Sequence, residues 1–129
     1  MVMTINIEEF RNFCLSLGEV TEKMPFGKFA RRYDSILAFY VLGHMFCFID
    51  IDNFNFVDIC STPEETEEIQ ASYSSVSKPL NPTLHHWIQL DLCGNIPLYK
   101  ILDMVKRSYI IIHTKYITKG NRSNILQKL

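Results

Sequence analysis

Between residues 29 and 60 the chain holds four short runs rich in aromatic and β-branched residues, joined by connections only two residues long. The runs are Phe29–Tyr33, Ile36–Leu42, Met45–Ile51 and Phe54–Cys60, separated by Asp34-Ser35, Gly43-His44 and Asp52-Asn53. Polar or glycine-containing loops of that length are hairpin connections. A parallel pair would need a crossover of a dozen residues or more, so the runs must be antiparallel neighbours. Along them, Phe46, Phe48 and Asp50 are expected to point one way, and Phe54, Phe56 and Asp58 to share a face. The second run is nearly all apolar, which places it in the middle of the sheet.

Helices flank this meander. Asn6 with Glu9 three residues on reads as a capping box, Ile5 and Phe10 as a hydrophobic staple, and Ile7, Phe10, Cys14 and Leu17 follow helical spacing up to Gly18. Residues 19–28, broken by Pro25 and Gly27, read as a loop. Thr62, Pro63 and Glu65 open a second helix that ends near Tyr73, followed by a long polar loop over 74–85. A fifth strand, His86–Leu92, leads through Cys93-Gly94-Asn95 to a last helix beginning near Pro97. Its apolar stripe is Leu98, Ile101, Leu102, Val105, Tyr109, Ile112 and Tyr116, with Lys100, Lys106, Arg107 and Lys115 largely opposite. Ile110 and Ile111 fall off that stripe, which implies either a kink near Ser108 or a second surface such as a weak dimer contact. The expected architecture is α+β: an antiparallel sheet of about five strands with helices packed on one side.

With 129 residues and 47% apolar side chains, the chain can bury a core as a single domain over 1–129, its tail fraying from residue 118 onward. Met1 to Asn6 lack a basic patch followed by an apolar stretch, and the run Ile36–Ile49 is too short to span a bilayer. A cytoplasmic location is expected. The four cysteines, Cys14, Cys47, Cys60 and Cys93, stand singly with no CxxC pair and read as free thiols rather than disulfides.

No phosphate loop, nucleotide fingerprint, nucleophile elbow or zinc-ligand spacing is present. His85 and His86 are adjacent at a strand entry and point to opposite faces, so they do not form a metal pair, and Trp87 reads as a core aromatic. Cys47 and Cys60 sit within apolar strands where thiols are inert. The carboxylates of Asp50 and Asp52 and of Glu64–Glu68 assemble no catalytic set. The expectation is a protein with no enzymatic activity, metal or cofactor.

Charge gives the functional lead. Residues 1–97 carry 6 basic and 13 acidic side chains, a balance of −7, while residues 98–129 carry 7 basic and 1 acidic, a balance of +6. A basic C-terminal helix suits an anionic partner. The candidate phosphate contacts are Lys28, Arg31 and Arg32 near the first hairpin, Lys78 in the long loop, and Lys100, Lys106, Arg107 and Lys115 on the last helix. The partner this implies is double-stranded DNA. The alternative is a protein- or small-ligand-binding adaptor using the 74–86 loop and the aromatic sheet face. A metal- or cysteine-based enzyme centred on His85 and His86 ranks third.

Three segments resemble the MmcQ/YjbR family of small bacterial proteins. Gly18-Glu19-Val20-Thr21-Glu22-Lys23-Met24-Pro25-Phe26-Gly27 is similar to the family's loop after the first helix. Cys60-Ser61-Thr62-Pro63-Glu64 is similar to its strand-to-helix junction. His86-Trp87-Ile88, followed by Leu102 to Ser108-Tyr109, is similar to its histidine–tryptophan strand and the serine–tyrosine of its last helix. The resemblance implies a CyaY-like α+β fold and a double-wing DNA-binding role without enzymatic activity. The chain departs from the family pattern at Gly43-His44 and at Cys60, where lysines are usual. A cysteine there removes a phosphate contact, and a histidine is largely neutral at pH 7.

Overall fold

In the computed structural model, residues 5–24, 35–74, 76–77 and 86–128 are described, with side chains to residue 117 in the last of these stretches. The elements run α1 (Ile7–Leu15), β1 (Val20–Lys23), β2 (Ile36–Val41), β3 (His44–Asp50), β4 (Phe56–Cys60), α2 (Pro63–Ser72), β5 (Val76–Ser77), β6 (Trp87–Asp91) and α3 (Leu98–Lys128). The described strands form one six-stranded sheet in the order β1-β2-β3-β4-β6-β5, every pair antiparallel. The class is α+β, as the sequence predicts. The run Phe29–Tyr33 lies outside the described residues.

Local chemistry starts the first two helices where the sequence says it should, although α1 ends at Leu15, short of Gly18. Asn6 accepts from Glu9 N while the Glu9 carboxylate accepts from Asn6 N, closing the capping box of α1. Thr62 Oγ1 accepts from Glu65 N at the head of α2, with Pro63 at the first helical position.

The sheet is wider than the sequence predicts, because two segments read as loop are strands. Val20–Lys23 pairs with Ala38–Val41 at one edge, and Val76–Ser77 pairs with Gln89–Leu90 at the other. Neither run is long or apolar enough to announce itself. Each is recruited by the unpaired N–H and C=O groups of its neighbour, and Arg11 of α1 secures β1 through an ion pair with Glu22.

The core lies on one face of the sheet. Phe39 and Val41 of β2, Cys47 and Ile49 of β3, Val57 and Ile59 of β4, and Ile88 and Leu90 of β6 are buried there. They meet Phe10 and Cys14 of α1, Ile69 of α2, and Ile101, Val105 and Ile112 of α3. All four cysteines are free thiols, Cys14 and Cys47 buried within this layer.

A register shift in the β2–β3 hairpin alters the expected facing. Phe39 lies opposite Cys47 and Tyr40 opposite Met45, which leaves Phe46 as an extra residue on β3. Phe46 is fully buried with its ring edge-on to Tyr109 of α3, whereas Phe48 faces away, against Trp87. Phe46 and Phe48 therefore do not point the same way. Phe54, likewise, packs on Phe10 rather than sharing the face of Asp58. Trp87 is half-buried on the far face instead of in the core.

Of the two alternatives offered by Ile110 and Ile111, the helix gives no break at Ser108: α3 runs continuously past it. The fully buried Ser108 hydroxyl donates to Phe46 O at 2.5 Å and accepts from Cys60 N at 2.9 Å. It thus joins the helix to two strands where the bulge interrupts the ladder. Ile111 is half-buried, Ile110 stays 48% exposed, and the helical backbone continues to Lys128.

Candidate nucleic-acid interface

Among the described residues α3 is the only long basic element, and the core fixes how it is rotated. Its buried residues Ile101, Met104, Val105, Ser108 and Ile112 face the sheet. At about 100° per residue, Lys100 and Arg107 are neighbours on one flank, and Lys106 lies about 120° around the axis from Lys100. Lys115 falls two turns beyond Ser108, nearly on the same stripe, and is exposed. The four lysine and arginine positions named from the sequence are therefore spread around the helix rather than aligned.

Their neighbours differ as well. Arg107 Nε donates to Asp103 Oδ2 at 3.0 Å, and Arg107 Nη1 lies 3.6 Å from Glu65 Oε1 on α2. Lys100 lines the same cleft, with Glu65 and Glu68 opposite. This flank is charge-balanced by the acidic helix α2. Lys106 and Lys115 are exposed. Beyond Asp103 the chain has no aspartate or glutamate but carries Lys106, Arg107, Lys115, Lys119, Arg122 and Lys128. Every charged residue of α3 after Asp103 is thus basic. Lys28, Arg31, Arg32, Lys78 and His85 lie outside the described residues.

Rings gather beside this cationic stretch. Tyr109, His113 and Tyr116, spaced four and three residues apart, fall within an arc of about 60° on the helix. Tyr109 and His113 stack with centroids 5.6 Å apart, and Tyr109 Oη donates to Gly18 O at 2.9 Å. His44, the first residue of β3, lies flat on Tyr116 with centroids 3.4 Å and planes 5° apart. It follows a turn in which Leu42 and Gly43 both take positive φ, of 52° and 78°. That is the hairpin geometry glycine favours, and Leu42 adopts it while 36% exposed. From the sequence, the tyrosines read only as part of an apolar stripe and His44 as a turn residue standing where the family's lysine is usual. The available signal was the tyrosine–histidine–tyrosine spacing on one helical face.

The far face of the sheet holds a different anomaly. Asp58, opposite Phe48 on one side and Gln89 on the other, is 2% exposed, and its Oδ1 has no hydrogen-bond partner among the described residues. Burial pushes its carboxyl up from the ordinary 3.8 to about 7, with the Gln89 hydrogen bond pulling weakly the other way. The half-buried rings of Phe48 and Trp87 lie beside it, centroids 5.5 Å apart. His86 is exposed, and its backbone oxygen accepts from Ser61 N at 2.8 Å. Among the described residues, no three His, Cys, Asp or Glu side chains come together as metal ligands. Burial raises the Cys47 and Cys60 thiols, which opposes a thiolate at either position. No helix among the described residues is long and apolar enough to cross a membrane.

Comparison with known proteins places this architecture. The YjbR family model matches residues 15–111. No curated protein matches. A crystal structure of a Deinococcus radiodurans protein with a DUF419 domain is similar at a TM-score of 0.76 and 25% identity, covering 92% of this chain and 86% of that one. A Pseudomonas syringae protein shares the fold at a TM-score of 0.60 and 15% identity, covering 81% of this chain and 96% of the other.

Proposed function

The chain belongs to the YjbR family, and from that premise we propose that it is a non-enzymatic DNA-binding module whose contact surface is the stretch of α3 that follows Asp103. One observation carries the reading: after Asp103 every charged side chain is basic, while the acidic residues lie earlier in the chain. An overall pI near 6.4 does not oppose this, because phosphate contacts depend on local potential and not on net charge. Lys106 and Lys115, both exposed, are the contributors of first rank, and they stand on opposite sides of the helix. Arg107 is secondary, since DNA must compete for it with Glu65 and Asp103.

DNA affinity measured by fluorescence anisotropy across a salt series tests the proposal. Affinity should fall steeply with salt, log K against log salt having a slope of about −0.9 per phosphate contact on a duplex. Lys106→Ala with Lys115→Ala should flatten that slope by about two contacts, and Arg107→Ala by less than one. Absence of binding at low salt would end this reading.

A second reading has its own support. The buried Asp58 oxygen beside Phe48 and Trp87 gives the sheet face a polar anchor among rings, as an adaptor for a small ligand would use. Trp87 is the only tryptophan in the chain, so its fluorescence reports on that face directly. A ligand screen that leaves this emission unchanged removes the alternative.

A further inference from the structure

We propose that the nucleic acid taken by this surface is single-stranded, with an unpaired base stacking on His44 at the tip of the β2–β3 hairpin. The inference rests on the DNA-binding reading above and specifies the partner.

The arrangement of charge and rings decides between duplex and single strand. A helix that reads a duplex through its groove needs its cations aligned with the two phosphate rails. Here Lys100 and Arg107 are balanced by α2, and Lys106 stands about 120° away from Lys100 around the axis. The rings, in contrast, converge. Tyr116 supports the imidazole of His44 from below at 3.4 Å, which fixes its plane, while His44 itself stays exposed. A base can therefore lie on the side of the imidazole turned away from Tyr116. Leu42 adds exposed apolar surface at the hairpin tip, held there in a left-handed conformation unusual for leucine. His113 extends the ring surface along the helix through its stack on Tyr109.

In a duplex both faces of each base are covered by its neighbours, so such a platform has nothing to grip. In a single strand the faces are available, and stacking tolerates any base because each has a π-face. Lys115 lies next to Tyr116, its ammonium 5.4 Å from that ring centroid, and is exposed for the flanking phosphate. Cations interleaved with rings are the composition that non-specific single-strand binding uses.

The test is anisotropy with the full chain and three probes of one length, roughly 15 nucleotides. These are a mixed-sequence DNA strand, its duplex, and a strand of the same length with abasic sites in place of the bases. The base-bearing strand should bind about tenfold more tightly than either of the others. His44→Ala should lose about tenfold on that strand and change the abasic strand little, and His44→Phe, which keeps a flat ring, should recover the loss. The inference is overturned if the duplex binds as well as the single strand. It is equally overturned if His44→Ala weakens the base-bearing and abasic strands alike. In both cases salt-dependent binding remains and the DNA reading stands, whereas silence from all three probes at low salt removes both.

Discussion

On the face of the sheet that receives α1 and α3, the buried strand residues are apolar; on the opposite face the same strands bury a carboxyl. Val57 and Ile59 on β4 belong to the first face, and Asp58 between them belongs to the second. One residue of chain separates a site held by packing from one whose stability depends on protons. The comparison teaches that burial alone does not say what a position contributes. An apolar side chain removed from water stabilises at any pH, whereas a buried acid is tolerated only while it stays neutral.

The largest expected effect tests the helix-covered face. Ile59→Ala should destabilise by about 2–5 kcal/mol in urea denaturation, because the fully buried site loses its contacts and leaves a cavity. That loss should be the same near pH 5 as near pH 8, and a strongly pH-dependent penalty would show that the two faces are coupled.

Asp58 should behave in the opposite manner. Its folded-state carboxyl lies near 7, above the ordinary 3.8, so the folded state holds the proton more tightly. Its contribution is fully present below about pH 4 and is lost as the pH rises through about 7, a change of about 4 kcal/mol at 1.36 kcal/mol per pH unit. Thermal unfolding followed from about pH 5 to pH 8 should therefore show falling stability in the parent and a flatter profile in Asp58→Asn. Matching profiles for the two proteins would place the pH dependence elsewhere.

The smallest of the three effects concerns the join between helix and sheet. Ser108→Ala strands Phe46 O and Cys60 N and should cost about 1–3 kcal/mol, without altering the pH profile. Hydrogen exchange should show the Cys60 amide losing protection while the Ile88 amide keeps it. Equal loss at both would mean that Ser108 holds the whole sheet and not the bulge alone.

Much of the fold was legible because it is written in short-range chemistry. Asn6 and Glu9 announce α1, Thr62 and Pro63 announce α2, and short connections force the meander to be antiparallel, although the one from β3 to β4 spans residues 51–55 and not two residues. What escaped was long-range. Val20–Lys23 and Val76–Ser77 become strands only because an edge with unpaired backbone groups lies beside them. Ser108 looked like a break in the helical pattern and is instead a bond to residues 62 and 48 positions away. Of the candidate site, the basic character of α3 was readable and its geometry was not. Helical spacing places Lys106 relative to Lys100, but only α2 shows that Arg107 is already engaged.

The sequence by itself therefore determined the class of the fold, the order of its central elements and the sign of charge on the last helix. These follow from side-chain period, cap residues and loop length, all of which act within a few positions along the chain. Only the tertiary structure decided which face each residue occupies after the bulge at Phe46, which cations are balanced, and that His44 meets Tyr116. Those outcomes depend on residues far apart in the chain being brought within van der Waals or hydrogen-bond reach. One extra residue in β3 moves Phe46 to the helix side and leaves Phe48 on the other, and no local pattern in the chain records that shift.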